Sequence, residues 1–132
     1  MDYLADTTFL IDLWREQVRS GPAMEFAARH RHATVGLPWV SKGEFLRGAW
    51  LAGQAGEQVD HFLDSFPVLW PNEKTLAAYA PIYVSLRRTN RMIGPNDLWI
   101  SACAMAAAIP VLTRNVSEFG RVEGLKVIAY AS

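Results

Sequence analysis

The sequence predicts an α/β fold, a mostly parallel sheet covered on both faces by helices. Two observations lead there. Short apolar runs bounded by turn residues alternate with stretches of helical periodicity along the whole chain. Two of these runs are followed by a carboxylate at or just inside the next helix, a strand–carboxylate–helix unit that occurs twice before residue 50. The totals agree: 132 residues, 51% hydrophobic and 20% charged, is a globular composition, sized for a single domain over residues 1–132. Lys plus Arg balances Asp plus Glu at 13 each, which excludes a broad basic coat. Any nucleic-acid contact must then come from a local set of cations.

In chain order, Tyr3 to Ala5 is a first strand. Asp6, Thr7 and Thr8 then supply N-cap residues for a helix carrying Phe9, Leu10, Leu13 and Trp14 at helical spacing. After Gly21-Pro22, a second helix over 23–29 ends in a basic run, Arg29 to His32, suited to a helix C-terminus. Ala33 to Leu37 is the second strand. Ser41-Lys42-Gly43-Glu44 opens the next helix as an S-x-x-E capping box, and this helix pairs as a hairpin with one bearing Val59, Phe62, Leu63 and Phe66. Val68 to Trp70, closed by a proline at each end, is a third strand, placed at a sheet edge because proline cannot donate to a ladder. Asn72 caps a helix running to about Arg91 with Leu76, Ala80, Tyr83 and Leu86 as its buried line, kinked or broken near residues 77–80 by Pro81. Gly94-Pro95 delivers Asn96 and Asp97 to an alanine-rich helix, followed by a strand at Val111 to Thr113, a loop or single turn to Phe119, and a last strand from Leu125 to Tyr130.

Cys103, the single cysteine, lies within the apolar helix and reads as a buried, inert thiol. One cysteine permits no disulfide framework within the chain, which suits a reducing cytosol. The N-terminal residues lack the basic start and apolar run of a secretion signal, and the longest apolar run, Ala102 to Val111, falls short of the roughly 20 residues of a membrane span. A soluble, cytoplasmic protein is expected.

In a parallel sheet, ligands bind at the carboxyl ends of the strands near a switch in strand order. Asp6, Glu44 and Asp97 stand at such ends, and Thr113, Asn115 and Glu118 follow the fourth strand. Carboxylates gathered without a cation repel one another, and an oxygen-only donor set favours Mg²⁺ or Mn²⁺ over softer metals. Such an ion suits phosphodiester hydrolysis. Each residue also has a structural reading: Asp6, Asn96 and Asp97 as helix caps, Ser41 and Glu44 as a capping box, and Glu118 as a solvated loop residue. There is no G-x-G-x-x-G after a strand and no P-loop. His30, His32 and His61 lack zinc spacing. Ser101 shows no nucleophile elbow. Arg87, Arg88 and Arg91 would reach phosphates only if the Pro81 kink turned them toward the site. The five Trp residues read mainly as core, with one or two available for a subunit interface.

Four ordered segments carry a resemblance: Leu4-Ala-Asp6-Thr-Thr-Phe-Leu-Ile-Asp-Leu13, Gly43-Glu44-Phe-Leu-Arg-Gly48, Ile93-Gly-Pro-Asn-Asp97-Leu-Trp-Ile-Ser-Ala-Cys-Ala104, and Leu112-Thr-Arg-Asn115-Val-Ser-Glu-Phe119. Together they resemble the PIN-domain family, most of all the VapC-type ribonuclease toxins of bacterial type II toxin–antitoxin modules. The resemblance runs from Tyr3 to about Val127. It implies a three-layer α/β/α sandwich with a five-stranded parallel sheet and an endoribonuclease dependent on Mg²⁺ or Mn²⁺. By position, Asp6, Glu44 and Asp97 match the three principal acids, Asn115 the fourth place where Asp is frequent, and Thr113 the small hydroxyl residue lining the site. Glu118 is a candidate substitute for the missing fourth acid. An RNA substrate, a cognate antitoxin and a homodimer are implied as partners. Two alternatives stand beside this reading: a PIN nuclease acting on DNA or in RNA maturation, and a catalytically weak PIN module that only binds a partner.

Overall fold

The computed structural model describes residues 1–131. Five strands form one parallel sheet: β1 (Tyr3–Ala5), β2 (Val35–Pro38), β3 (Val68–Leu69), β4 (Val111–Thr113) and β5 (Val127–Ala129), in the order β3-β2-β1-β4-β5. The chain builds outward from β1 through β2 to β3, then crosses back to lay β4 on the other side of β1. The order therefore reverses between β1 and β4, and a crevice opens at the carboxyl ends of those two strands. The helices are α1 (Thr7–Arg15), α2 (Pro22–Arg29), α3 (Trp39–Leu51), α4 (Glu57–Asp64), α5 (Glu73–Arg88), α6 (Pro95–Ala107) and α7 (Val116–Phe119). The expected α/β/α sandwich is the architecture observed.

Successive strand residues point to opposite faces, and that alternation makes the two cores. Ala5 and Leu112 pack with Phe9, Leu10, Phe26, Phe45 and Leu63 from α1 to α4. Their neighbours Leu4 and Val111 pack on the other face against Ile100, Cys103 and Phe119 from α6 and α7. Both faces are covered, so the central strands are apolar throughout. Beyond α6, α5 adds Ile82 and Leu86 against Leu98 and Ala102. A row of rings, Trp39–Trp99 at 6.0 Å and Tyr79–Trp99 stacked at 3.9 Å, ties α3, α6 and α5 together. β3 lies at the sheet edge, as its flanking prolines require, and Cys103 is buried, its thiol pushed up to about 11 by desolvation.

Several local expectations are corrected. The S-x-x-E pattern is not a capping box: α3 starts at Trp39 with Pro38 as N-cap, because that residue's φ of −56° and ψ of 143° already turn the strand into the helix. Ser41 is consequently inside the helix, buried, with a hydroxyl that has no partner among the described residues. Gly94, not Asn96 or Asp97, occupies the N-cap of α6. The helix α5 runs unbroken through Pro81, and its buried residues are Thr75, Ile82 and Leu86, whereas Leu76 is 51% exposed. The face is set by where α6 lies, which periodicity alone does not specify. The real capping box is here: Asn72 accepts from the Thr75 amide at 3.2 Å while Thr75 Oγ1 accepts from the Asn72 amide at 3.1 Å. None of the five tryptophans is fully buried, and Trp50 and Trp70 are exposed.

The register of α5 is testable by urea denaturation. Ile82→Ala should lose about 2–4 kcal/mol through a cavity against α6, and Leu76→Ala should change stability by less than about 0.5 kcal/mol. Equal losses at both positions would mean the helix presents a different face.

Candidate functional site

Asp6 is the residue on which the crevice is built. It leaves β1 in extended conformation and serves as the N-cap of α1, accepting from the Phe9 amide at 3.3 Å. Its other contacts come from hydroxyls: Thr8 Oγ1 donates to Oδ1 at 2.6 Å, and Thr113 Oγ1, at the end of β4, donates to Oδ2 at 2.7 Å. The backbone repeats the link, with the Asp6 amide bonded to the Leu112 carbonyl at 3.1 Å. Only 3% of Asp6 is exposed. Desolvation pushes its pKa up, and the hydroxyl and amide donors hold it down in part. The cap and the chemical reading of Asp6 are therefore not exclusive, because one oxygen caps and both remain anchored.

Glu44 projects from the second turn of α3 and accepts from Thr7 Oγ1 at 2.7 Å. Since α3 begins before Ser41, this carboxylate is not used on the helix terminus. Asp97 sits in the first turn of α6. Burial raises its pKa to about 7, and a hydrogen bond to Glu118 together with the charges of Glu118, Asp6 and Glu44 push in the same direction. Glu118, in α7, is held below its usual value mainly by the hydrogen bond from Asp97, helped by Asn115 and the charge of Arg121. The two carboxyls therefore titrate as a pair, with the protonated form favoured at Asp97 and the charged form at Glu118. Asn115 Nδ2 donates to Glu118 Oε2 at 2.6 Å, and the Asn115 amide donates to Thr113 Oγ1 at 2.8 Å.

The six residues singled out from sequence, Asp6, Glu44, Asp97, Thr113, Asn115 and Glu118, are thus linked by hydrogen bonds or by mutual charge. Glu118 is a partner of Asp97 and Asn115, not a solvated loop residue. Sequence reasoning missed Thr7 and Thr8 as carboxylate donors; the Asp-Thr-Thr run was legible only as a cap. It also missed a second network in which Asp12 accepts from Arg114 Nη1 at 2.8 Å and from the Tyr130 hydroxyl at 2.6 Å. Its residues are far apart in sequence and carry no motif. Ser101, by contrast, only back-bonds to the Asp97 carbonyl at 2.8 Å.

The donors are carboxylates, an amide and hydroxyls, the hard oxygen set suited to Mg²⁺ or Mn²⁺. Among the described residues, no three Asp, Glu, His or Cys side chains already enclose a point where an ion could sit. Repulsion explains the spacing: each acid is drawn to a neutral hydroxyl or amide instead, and Asp97 keeps a proton. The set fits a divalent cation in chemistry and charge, with loading expected to displace the Asp97 proton.

That proton has a consequence for stability. Between the ordinary Asp value of 3.8 and about 7 the folded chain holds a proton that the unfolded chain has released, so this group's contribution falls as pH rises through that window. Asp97→Asn keeps a donor toward Glu118 without the charge. In differential scanning calorimetry without metal, it should melt a few degrees higher than the native chain at about pH 8, with the difference shrinking steadily toward about pH 4. A Tm difference that does not change with pH would contradict the shared proton.

Comparison with known proteins extends the picture. The sequence matches the PIN domain family over residues 3–125. It is 28% identical over 132 residues to the Ribonuclease VapC1 of Haemophilus influenzae strain R2866, with 96% of each chain covered. The solved structure of VapBC-1 from nontypeable Haemophilus influenzae is similar with a TM-score of 0.83 at 24% identity, covering 100% of both chains. DNA-bound VapBC from Salmonella typhimurium is similar with a TM-score of 0.82 at 20% identity over 99% of each. At such identities the structural likeness is one of fold. The family match reaches from β1 to the turn before β5 and includes every residue of the crevice described above, and this chain belongs to the PIN domain family.

Proposed function

We propose that this chain is a metal-dependent endoribonuclease that acts as the toxin of a type II toxin–antitoxin pair. The observation that carries the reading is the gathering of Asp6, Glu44, Asp97 and Glu118 at the strand-order reversal, where burial first, and then the hydrogen bond to Glu118 and the charges of the other acids, raise the pKa of Asp97 to about 7. A chain does not crowd acids for stability. Relatives named Ribonuclease VapC1, and VapBC complexes of the same fold, support the substrate class and a cognate antitoxin as partner. A groove of about 150 Å³ lined by Ile11, Trp14, Phe45 and Glu44 beside the crevice offers an apolar seat for a partner segment. The reading includes one domain, a homodimer and a cytoplasmic setting; among the described residues no helix is long and apolar enough to cross a membrane.

In this proposal Asp6, Glu44 and Asp97 hold Mg²⁺ or Mn²⁺, with Asn115 and Glu118 completing the set. When bound, the ion makes an attacking water more acidic and neutralises charge developing on the phosphoryl group. The chain's own groups do the positioning. Thr113 and Thr8 fix both oxygens of Asp6, and Thr7 fixes Glu44, so that little rotamer freedom remains to be lost on loading. Asp97 releases its proton as the ion is taken up. Asn115 Nδ2 keeps Glu118 aimed toward Asp97. Because Asn115 brings no charge, Glu118 supplies the fourth carboxylate from α7.

Two outcomes follow. Asp97→Asn should reduce cleavage of a single-stranded RNA by about a hundredfold or more with unchanged circular dichroism; full activity in this variant would remove the central claim. Mg²⁺ should raise the melting temperature of the native chain more at about pH 8 than at about pH 5.5, since loading must displace the Asp97 proton. A shift of equal size at both values would assign the ion to other groups.

A further inference from the structure

The acids of the crevice repel a phosphodiester, so an enzyme that accepts a nucleic acid there needs cations at the rim. The chain as a whole supplies no excess, with 13 basic and 13 acidic side chains. Three arginines nonetheless stand near this end of the sheet: Arg47 and Arg121 beside Glu44 and Glu118, and Arg114 paired with Asp12 while its backbone amide reaches the hydroxyl that holds Asp6. Arg47, on α3, lies 3.6 Å from Glu44 Oε2 with its side chain 66% exposed, an open pairing worth little and readily given up. Arg121, just after α7, donates to the Met92 carbonyl at 3.1 Å, and its charge is felt by Glu118. Arg114 lies between Thr113 and Asn115.

Arg114 is the most fully prepared of the three. Its Nη1 lies 2.8 Å from both oxygens of Asp12, and Asp12 is held in turn by the Tyr130 hydroxyl at 2.6 Å. Its backbone amide reaches Thr8 Oγ1, the hydroxyl that also holds Asp6, at 3.5 Å. One nitrogen is thus pinned to α1, while Nε and Nη2 have no partner among the described residues and the side chain is 48% exposed. A guanidinium anchored at one corner with its remaining donors open is pre-organised to receive phosphate oxygens at little entropic cost. Arg87 and Arg88 differ: they are exposed at the end of α5, and Arg87 is turned onto the Tyr83 hydroxyl.

We propose that Arg47, Arg114 and Arg121 form a phosphate-gripping rim that receives the backbone of single-stranded RNA on either side of the acids; the proposal rests on the ribonuclease reading. The rim contacts phosphates and not base edges, so it contributes affinity without sequence preference. Arg114 would keep its place on Asp12 during binding, whereas Arg47 would exchange Glu44 for the strand.

The test is fluorescence anisotropy of a 5′-labelled, mixed-sequence RNA 20-mer titrated with the full chain carrying Asp97→Asn, in Mg²⁺, across a salt series. Arg47→Ala, at an exposed position, and Arg121→Ala, at a half-buried one whose guanidinium rests on the Met92 carbonyl, should each weaken binding several-fold. Each should also reduce the slope of log affinity against log salt by about 0.7, the increment for one lost contact to a single strand. Arg114→Lys should keep the slope and lose affinity, because the charge remains and the anchored fork does not. A variant with Arg87→Ala, Arg88→Ala and Arg91→Ala should bind as the parent does. If the parent binds RNA and the rim variants match it in affinity and slope, the rim is wrong and the ribonuclease reading stands. If the parent binds no RNA, or binds only single-stranded DNA of the same sequence, the ribonuclease reading fails and the RNA rim fails with it.

Discussion

A carboxylate buried where the order of strands reverses constrains everything around it. Asp6 has 3% of its surface exposed, and a buried charge without partners would be prohibitively costly. The chain answers with two threonine hydroxyls and an amide, one hydroxyl from the next residues of the same segment and one from β4, 107 residues away in sequence. The Thr113 contact forms only if β4 returns beside β1 in parallel register, with Ala5 opposite Leu112. Fold and crevice are therefore one requirement: the register that buries Leu4 and Val111 on one face and Ala5 and Leu112 on the other also brings Thr113 to Asp6.

The second constraint is repulsion. Four acids influence one another across the crevice, and the molecule relieves the strain in two ways. Neutral donors are placed on Asp6, Glu44 and Glu118, and one proton is retained by the Asp97–Glu118 pair. A site arranged in this way is less stable near neutral pH than an uncharged equivalent would be. That is the usual relation between a strained functional site and the stability of the scaffold that carries it. The Asp12–Arg114–Tyr130 network joins α1, the residue after β4 and the residue after β5.

Much of the fold was legible because its signals are local. The alternation of short apolar runs with helical periodicity, the prolines around β3 and the Asn72 cap each follow from the residues within a few positions. The errors also have one cause. Which face of α5 is buried depends on α6, so of the line through Leu76, Ala80, Tyr83 and Leu86 that periodicity predicts only Leu86 is fully buried, and Thr75 and Ile82 join it. Ser41 matched a capping pattern, yet Pro38 had already started the helix, and the carboxylate of Glu44 was left free for the crevice. A pattern counts residues along the chain; it cannot see where the preceding strand ends.

By itself the sequence determined the kinds of group available, oxygen donors at the ends of apolar strands with no competing cysteine or histidine set, and the order in which they occur. It also carried the family pattern, because Asp6, Glu44, Asp97 and Asn115 stand within motifs a few residues long. Only the tertiary structure decided that Glu118 pairs with Asp97, that Thr7 and Thr8 hold carboxylates, and that Arg47 meets Glu44, Arg114 meets Asp12 and Arg121 lies near Glu118. The reason is range. Caps and turns are settled by neighbours in sequence, whereas hydrogen bonds and charge coupling between side chains depend on separations of a few ångströms set by the packing of the whole sheet.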